Sequence, residues 1–201
     1  MISIVIAEDQ TMMRSALTTL LELEGDLRVV AGVGRGDDVA DAVRQHTPDI
    51  ALLDIEMPGK SGLDAISDVR RESPTTAVIV VTTFGRAGYL RRAMDAGARG
   101  FLVKDNPVDE LAASIRRVVA GETVVDQLLA AQALSAGENS LSQREAEVLA
   151  ASDGGIPISE IAEKLHLSSA TVRNYISAAI GKLGARNRAE ALEQARRNGW
   201  V

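Results

Sequence analysis

The first half of this sequence carries a small set of groups that could move a phosphoryl group: the acidic pair Glu8-Asp9, the single acid Asp54, the hydroxyl pair Thr82-Thr83, and Lys104. Each stands at the end of a short apolar run: Ile2–Ala7, Ile50–Leu53, Ala77–Val81 and 99–103. If those runs are neighbouring strands, three carboxylates, a hydroxyl and an ammonium meet at one edge. Carboxylates brought that close repel one another unless a cation joins them. Mg2+ prefers hard oxygen ligands and takes one or two carboxylates. Asp54 would then be the nucleophile, since carboxylates form aspartyl phosphates. Mg2+ and Lys104 would neutralise phosphoryl oxygens in the transition state. Any one of these positions taken alone is better read as a solvent-facing charge at the start of a loop. All of them in register point to chemistry.

The elements that must position them follow from hydrophobic patterning. Strand-like runs at 2–7, 28–33, 50–53, 77–81 and 99–103 alternate with helical segments at 11–24, 37–45, 61–71, 87–96 and 107–120. Five strand–helix units in 121 residues predict an α/β doubly wound, five-stranded parallel sheet covered on both faces. The flavodoxin-like order 2-1-3-4-5 places the first and third strands side by side. Chemistry in such sheets sits beyond the carboxyl ends of the strands. Residues 122–140 read as a linker, helical in part, with a polar Gly137-Glu-Asn-Ser140 end.

From Leu141 the pattern is wholly helical. Ser142-Gln-Arg-Glu145 is a capping box. Helices are expected from there to about Ser152, from Pro157 or Ser159 to Leu165, over 170–183, and over 188–198. The second and third of these are four residues apart, as in a helix-turn-helix, so residues 141–201 are expected to form an all-α four-helix domain. Ser168, Ser169 and Thr171 cluster where the recognition helix begins and suit a phosphate. Arg173, Asn174 and Ser177 project one turn apart; Arg can read guanine and Asn adenine. Lys182, Arg186 and Arg188 would grip the DNA backbone.

Charge supports the division. The chain is −6 overall, yet residues 164–189 carry five bases and no acid. An acidic module joined to one with a local basic stretch is the expected pattern for a partner bearing anions. Without cysteine there is no disulfide framework or thiol chemistry, and His46 and His166 stand in no metal-ligand pattern. The N-terminal apolar run meets acids at once, unlike a signal peptide, and no run approaches the ~20 residues of a membrane span. A cytoplasmic protein with no direct membrane insertion is expected.

Residues 1–121 resemble the receiver domain of two-component response regulators, on Glu8-Asp9, Asp54 with Met57-Pro58-Gly59, Thr82 and Lys104. The resemblance implies that Asp54 accepts phosphate from a sensor kinase's phosphohistidine. It implies Mg2+ held by Asp9, Asp54 and the Glu56 backbone carbonyl, with Glu8 acting through water. It makes Thr82 and Phe101 the switch pair, and it places Asp105 where many receivers have proline. Residues 141–201 resemble the LuxR-type domain of the NarL/FixJ family, on Leu141-Ser-Gln-Arg-Glu145, Thr171-Val172-Arg173 and Asn187-Arg188-Ala-Glu-Ala191. By position Arg173, Asn174 and Ser177 match that family's base-contacting sites, and the fourth helix matches its DNA-bound dimer contact. Strings such as Ile6-Ala-Glu-Asp-Gln10, Thr82-Thr-Phe84 and Val172-Arg-Asn-Tyr-Ile-Ser177 are similar to the DesR-like subgroup, which implies control of membrane-lipid or envelope genes.

Together these imply a transcription regulator: a membrane-bound sensor histidine kinase phosphorylates Asp54, the receiver forms a homodimer, and two DNA-binding modules engage promoter DNA, with RNA polymerase a further partner. From the same resemblance, Arg14, Leu17 and Leu21 on the first helix and Leu111, Ile115 and Val118 on the fifth offer the dimer surface, some of them being core instead. No enzyme activity is expected beyond self-phosphotransfer and autodephosphorylation at Asp54. The rivals are an aspartate-nucleophile phosphatase built on Asp54-Ile-Glu56, a constitutive DNA binder with a vestigial receiver, and a receiver whose C-terminal bundle binds protein only.

Overall fold

Ile2–Ala7 is short, apolar and rich in β-branched residues, and it forms strand β1 in the computed structural model, which describes residues 1–83, 87–135 and 139–201. Phe84 and the Gly137-Glu138 part of the expected linker lie outside the described residues. The chain divides into two compact units, the first reaching Ala130 apart from a short segment ending at Gly88, the second made of that segment and residues 131–201.

In the first unit β1 is followed by α1 (Thr11–Glu22), β2 (Leu27–Val33), α2 (Val39–His46), β3 (Ile50–Leu53), α3 (Gly62–Glu72), β4 (Ala77–Thr82), α4 (Ala87–Ala96), β5 (Gly100–Val103) and α5 (Val108–Val119). The strands are parallel, as the alternation predicts, and ordered β2-β1-β3-β4-β5, the flavodoxin-like order expected for five units. A sixth strand, β6 (Val124–Val125), extends the sheet beyond β5, and α6 (Gln127–Ser135) follows it. Sequence patterning gives five strands because two residues carry no periodicity. What holds β6 is two backbone bonds, Val124 N–H to the Arg99 carbonyl and Asp126 N–H to that of Phe101. Asp126 Oδ1 then accepts the Leu128 and Leu129 amides at the start of α6.

Alternate strand residues serve two faces. Ile4, Ile6, Ile50, Leu52, Ile79, Val81 and Leu102 pack with Leu21 of α1 and with Leu111, Ala112, Ile115 and Val118 of α5. The intervening residues Val5, Ala51, Leu53, Val78, Val80 and Phe101 are buried as well, as in a sheet covered on both sides. Four of the six residues offered as a dimer surface, Leu21, Leu111, Ile115 and Val118, are therefore core: the helical stripe that faces the sheet has first claim on apolar side chains.

The second unit holds α7 (Gln143–Ala150), α8 (Ile158–Lys164), α9 (Ser169–Leu183) and α10 (Arg188–Arg197). The capping box at α7 is present in both directions: Ser142 Oγ accepts the Glu145 amide at 3.3 Å, and the Glu145 carboxylate accepts the Ser142 amide at 2.6 Å. Leu141, Leu149, Ala179, Leu192 and Ala195 form one cluster, with Trp200 packed against it. Val148, Ile161, Val172 and Ile176 form a second, and Ile180 touches both. Trp200 thus packs against this domain's own core.

Among the described residues, no helix is long and apolar enough to cross a membrane.

Glu145 is buried, and a hydrogen bond from Lys182, with help from the Ser142 amide, holds its carboxyl below the ordinary glutamate range. A depressed carboxyl pKa adds stability that is present above the unfolded value, about 4.3, and lost as pH falls through the folded value. Acid unfolding followed by the fluorescence of Trp200, the sole tryptophan, should show this loss. In Glu145→Gln the transition should be flatter through the same window. Identical profiles would remove this ion pair from the account.

Candidate functional site

Sheet register builds the first site. Ala7 lies opposite Leu53, and Thr82 opposite Val103, so the carboxyl ends of β1, β3, β4 and β5 come into line. The ladder then runs one residue past three of the strands. The Glu8 amide donates to the Val33 carbonyl, the Asp54 amide to that of Ala7, and the Lys104 amide to that of Thr82, at 2.9–3.0 Å. The backbone under Glu8, Asp54 and Lys104 is thereby fixed by the sheet. After Asp54 the chain turns back, with the Gly62 amide bonding the Ile55 carbonyl. A Cβ on Gly62 would fall 1.8 Å from the Asp54 carbonyl oxygen, so only glycine can begin α3 this close to the acid.

Lys104 Nζ bridges two buried acids, donating to Glu8 Oε2 at 2.5 Å and to Asp54 Oδ2 at 2.8 Å. Burial works against its charge, but the bonds to Asp54 and Glu8 outweigh that and hold its pKa above the ordinary lysine value. Asp54 Oδ1 accepts the Ile55 amide at 2.7 Å, and Glu8 Oε1 accepts the Gln10 amide at 3.1 Å. Asp9 is exposed at the rim, yet one oxygen each from Glu8, Asp9 and Asp54 lies within 4.8 Å of the others. Three converging carboxylates, two of them buried, are a donor set that fits a hard divalent cation. Glu56 is exposed in the loop after β3, Thr82 is buried at the end of β4, and Phe101 is fully buried in β5. Asp105 follows Lys104, and among the described residues no peptide bond is cis. Sequence patterning thus brings Glu8, Asp9, Asp54, Thr82 and Lys104 to one edge. It misses the Gln10 amide, which no side-chain motif announces.

The second site is the outer face of α9. Val172, Ile176 and Ala179 are buried, while Ala170, Arg173, Asn174, Ser177, Ala178 and Gly181 form an exposed stripe on the other side. The turn before α9 places His166 in the left-handed region, φ 53°, and the Leu167 amide bonds the Ala162 carbonyl. Ser168 caps the helix: its Oγ accepts the Thr171 amide at 3.0 Å and lies 2.8 Å from the Thr171 hydroxyl. Ser169 is the first residue of α9 and is half-buried. The three expected backbone-gripping bases all have partners within this domain. Lys182 pairs with Glu145 at 2.7 Å, Arg186 with Glu190 at 3.0 Å, and Arg188 donates to the Ile156 carbonyl at 2.9 Å. Arg173, by contrast, forms no ion pair among the described residues.

A doubly wound sheet with an acid–lysine cluster at its carboxyl edge, joined to a helix-turn-helix domain, is the architecture of a two-component response regulator. Residues 4–116 match the response regulator receiver domain, and residues 139–195 match the bacterial regulatory proteins of the luxR family. The transcriptional regulatory protein DesR of Bacillus subtilis is 44% identical over 200 residues, covering 100% of this chain and 99% of that one. A LuxR-family DNA-binding response regulator from Staphylococcus aureus is similar in structure at TM-score 0.57 and 35% identity, covering 59% of this chain and 99% of that one. The response regulator ChrA of a heme-sensing two-component system covers 100% of this chain and 98% of its own at TM-score 0.59 and 28% identity. The chain belongs to the two-component response regulators with a LuxR-type DNA-binding domain, and it regulates transcription.

Proposed function

We propose that a membrane-bound sensor histidine kinase phosphorylates Asp54, and that this converts the chain into a DNA-binding homodimer. The observation that carries the reading is the buried Lys104 bridge between Glu8 and Asp54, with Asp9 at the rim of the same pocket. An Asp54 carboxylate oxygen attacks phosphorus, and the bond from phosphorus to the kinase imidazole nitrogen breaks. Lys104, already bonded to Asp54, is placed to meet the negative charge of the incoming group. Mg2+ would be held by Asp9, Asp54 and the Glu56 carbonyl, with Glu8 acting through water, and would supply charge neutralisation on the phosphoryl oxygens. Thr82 and Phe101 act as the switch pair. Autodephosphorylation at Asp54 is the chain's only other chemistry. The test is phosphate uptake from acetyl phosphate with Mg2+ and with EDTA. Uptake should require the metal, and equal uptake in EDTA would contradict the site.

Arg173, Asn174 and Ser177 read bases in the major groove. Ser168, Ser169 and Thr171 meet phosphates, and Lys182, Arg186 and Arg188 reach the backbone by exchanging their present partners for phosphate. The domain division proposed is receiver 1–121, linker 122–140 and DNA-binding domain 141–201, although the receiver sheet extends to Val125. The protein works in the cytoplasm, and its contact with RNA polymerase and with membrane-lipid or envelope genes is proposed on the likeness to the DesR-like subgroup.

Dimerisation is placed on α1 and α5. Between them lies an apolar cleft of about 100 Å3, lined by Met13, Ala16, Leu17, Leu20, Val108 and Leu111 among others. Exposed Met12, Leu20 and Val119 lie on the same two helices, with Leu23 just after α1. Leu20→Glu should take up phosphate as the wild type does and yet stay monomeric in sedimentation equilibrium. A phosphorylated Leu20→Glu dimer of normal affinity would move the interface elsewhere.

A further inference from the structure

Arg14 stands on the second turn of α1, where its charge suits an outer surface. Its side chain instead turns toward the acidic pocket, and its Nη1 donates to the backbone carbonyl of Glu8. That carbonyl belongs to the peptide unit joining Glu8 to Asp9. The Glu8 amide, on the other side of the same residue, donates to Val33. Glu8 is therefore pinned at both its backbone groups, by the sheet at its amide and by Arg14 at its carbonyl.

Two glycines make room for this. A Cβ on Gly32 would stand 3.1 Å from Arg14 Cδ, and one on Gly34 would stand 3.2 Å from Arg14 Nη1. Neither glycine has a positive φ, so backbone conformation does not call for glycine at either place. Two residues apart on or just after one strand, they leave a trough in which the arginine stem lies.

We propose that Arg14 is a positioning residue for the cation site. It sets the plane of the Glu8–Asp9 peptide, and through it the direction from which the exposed Asp9 carboxylate meets Glu8 and Asp54. Asp9 has little else to hold it: it is the exposed member of the three acids, while Lys104 and the Gln10 amide already fix Glu8. Groups that hold a metal ligand in place typically contribute about 10–100-fold to metal affinity. The inference rests on the Mg2+ reading of the pocket, and it adds a residue of α1 to the support of that site.

The sign of the effect separates positioning from charge. Removing a cation beside an acidic pocket should, by Coulomb attraction alone, tighten Mg2+ binding. Removing a group that orients a ligand should weaken it. The experiment is calorimetric titration of the full chain with Mg2+ alone, at fixed pH and ionic strength, for the wild type, Asp54→Asn, Arg14→Met and Gly34→Ala. Arg14→Met keeps the apolar stem over Gly32 and loses the donor. Gly34→Ala keeps the charge and crowds the guanidinium. Binding should weaken roughly ten-fold in Arg14→Met, and by a smaller factor in Gly34→Ala, with metal-free melting temperatures near that of the wild type. Equal or tighter binding in Arg14→Met, with wild-type uptake that depends on Asp54, would overturn the inference and leave the metal site standing. Wild-type binding that Asp54→Asn leaves unchanged, or no binding at all, would overturn both.

Discussion

Asp54→Ala is expected to take up no phosphate from acetyl phosphate or from a phosphorylated kinase, while folding as the wild type does. Asp54 lies at the end of a strand buried on both faces, with one oxygen bonded to the Ile55 amide and the other to Lys104. The alanine variant should survive because Lys104 keeps its second acid, Glu8, at 2.5 Å, so no ammonium is left buried and unpaired. Intact-mass measurement after incubation with Mg2+ and phosphodonor reads the result directly. A phosphorylated Asp54→Ala would place the acceptor on another residue and undo the assignment of the site.

The second large effect is expected at Arg173. It lies in the middle of the exposed stripe of α9, one turn from Ser177 and beside Asn174. If it reads a guanine, Arg173→Ala should cost about 1–3 kcal/mol of operator affinity and relax discrimination at one base position. The change should leave stability alone, because Arg173 has no ion-pair partner to lose among the described residues. Arg186→Ala, on a base that already pairs with Glu190, should cost less and act equally on all sequences. Fluorescence anisotropy against operator and scrambled duplexes, at two salt concentrations, separates the two. Equal losses on both duplexes in Arg173→Ala would make it a phosphate contact.

The acid–lysine edge was legible in the sequence because its charged groups are tied to strand ends, and buried parallel strands announce themselves as short apolar runs. Glu8, Asp54 and Lys104 each follow such a run by one residue, and the ladder bonds of the sheet hold them there. The alternation gave a parallel sheet, and the order of its strands came from the flavodoxin-like arrangement of five such units. Strand β6 was not legible, since pairing to β5 rather than any pattern of its own makes Val124–Val125 a strand.

Long side chains were the other gap. Spacing placed Lys182 among the bases expected to grip DNA but gave no sign of its pairing with Glu145, 37 residues earlier in the chain. Arg14, offered as part of a dimer surface, reaches the Glu8 carbonyl, a contact that no spacing announces. A lysine or arginine stem can follow several paths from one backbone position, and only the packed neighbours choose among them. The one trace of Arg14's path in the sequence is the spacing of Gly32 and Gly34, which removes two side chains near a strand end without marking a turn.

The most direct test of the regulatory scheme is sedimentation velocity of the wild-type chain and Asp54→Ala, each with Mg2+ and acetyl phosphate and at two protein concentrations. The wild type alone should shift from monomer to dimer, and more completely at the higher concentration. If both chains dimerise, or neither does, phosphorylation of Asp54 is not what brings two DNA-binding domains together.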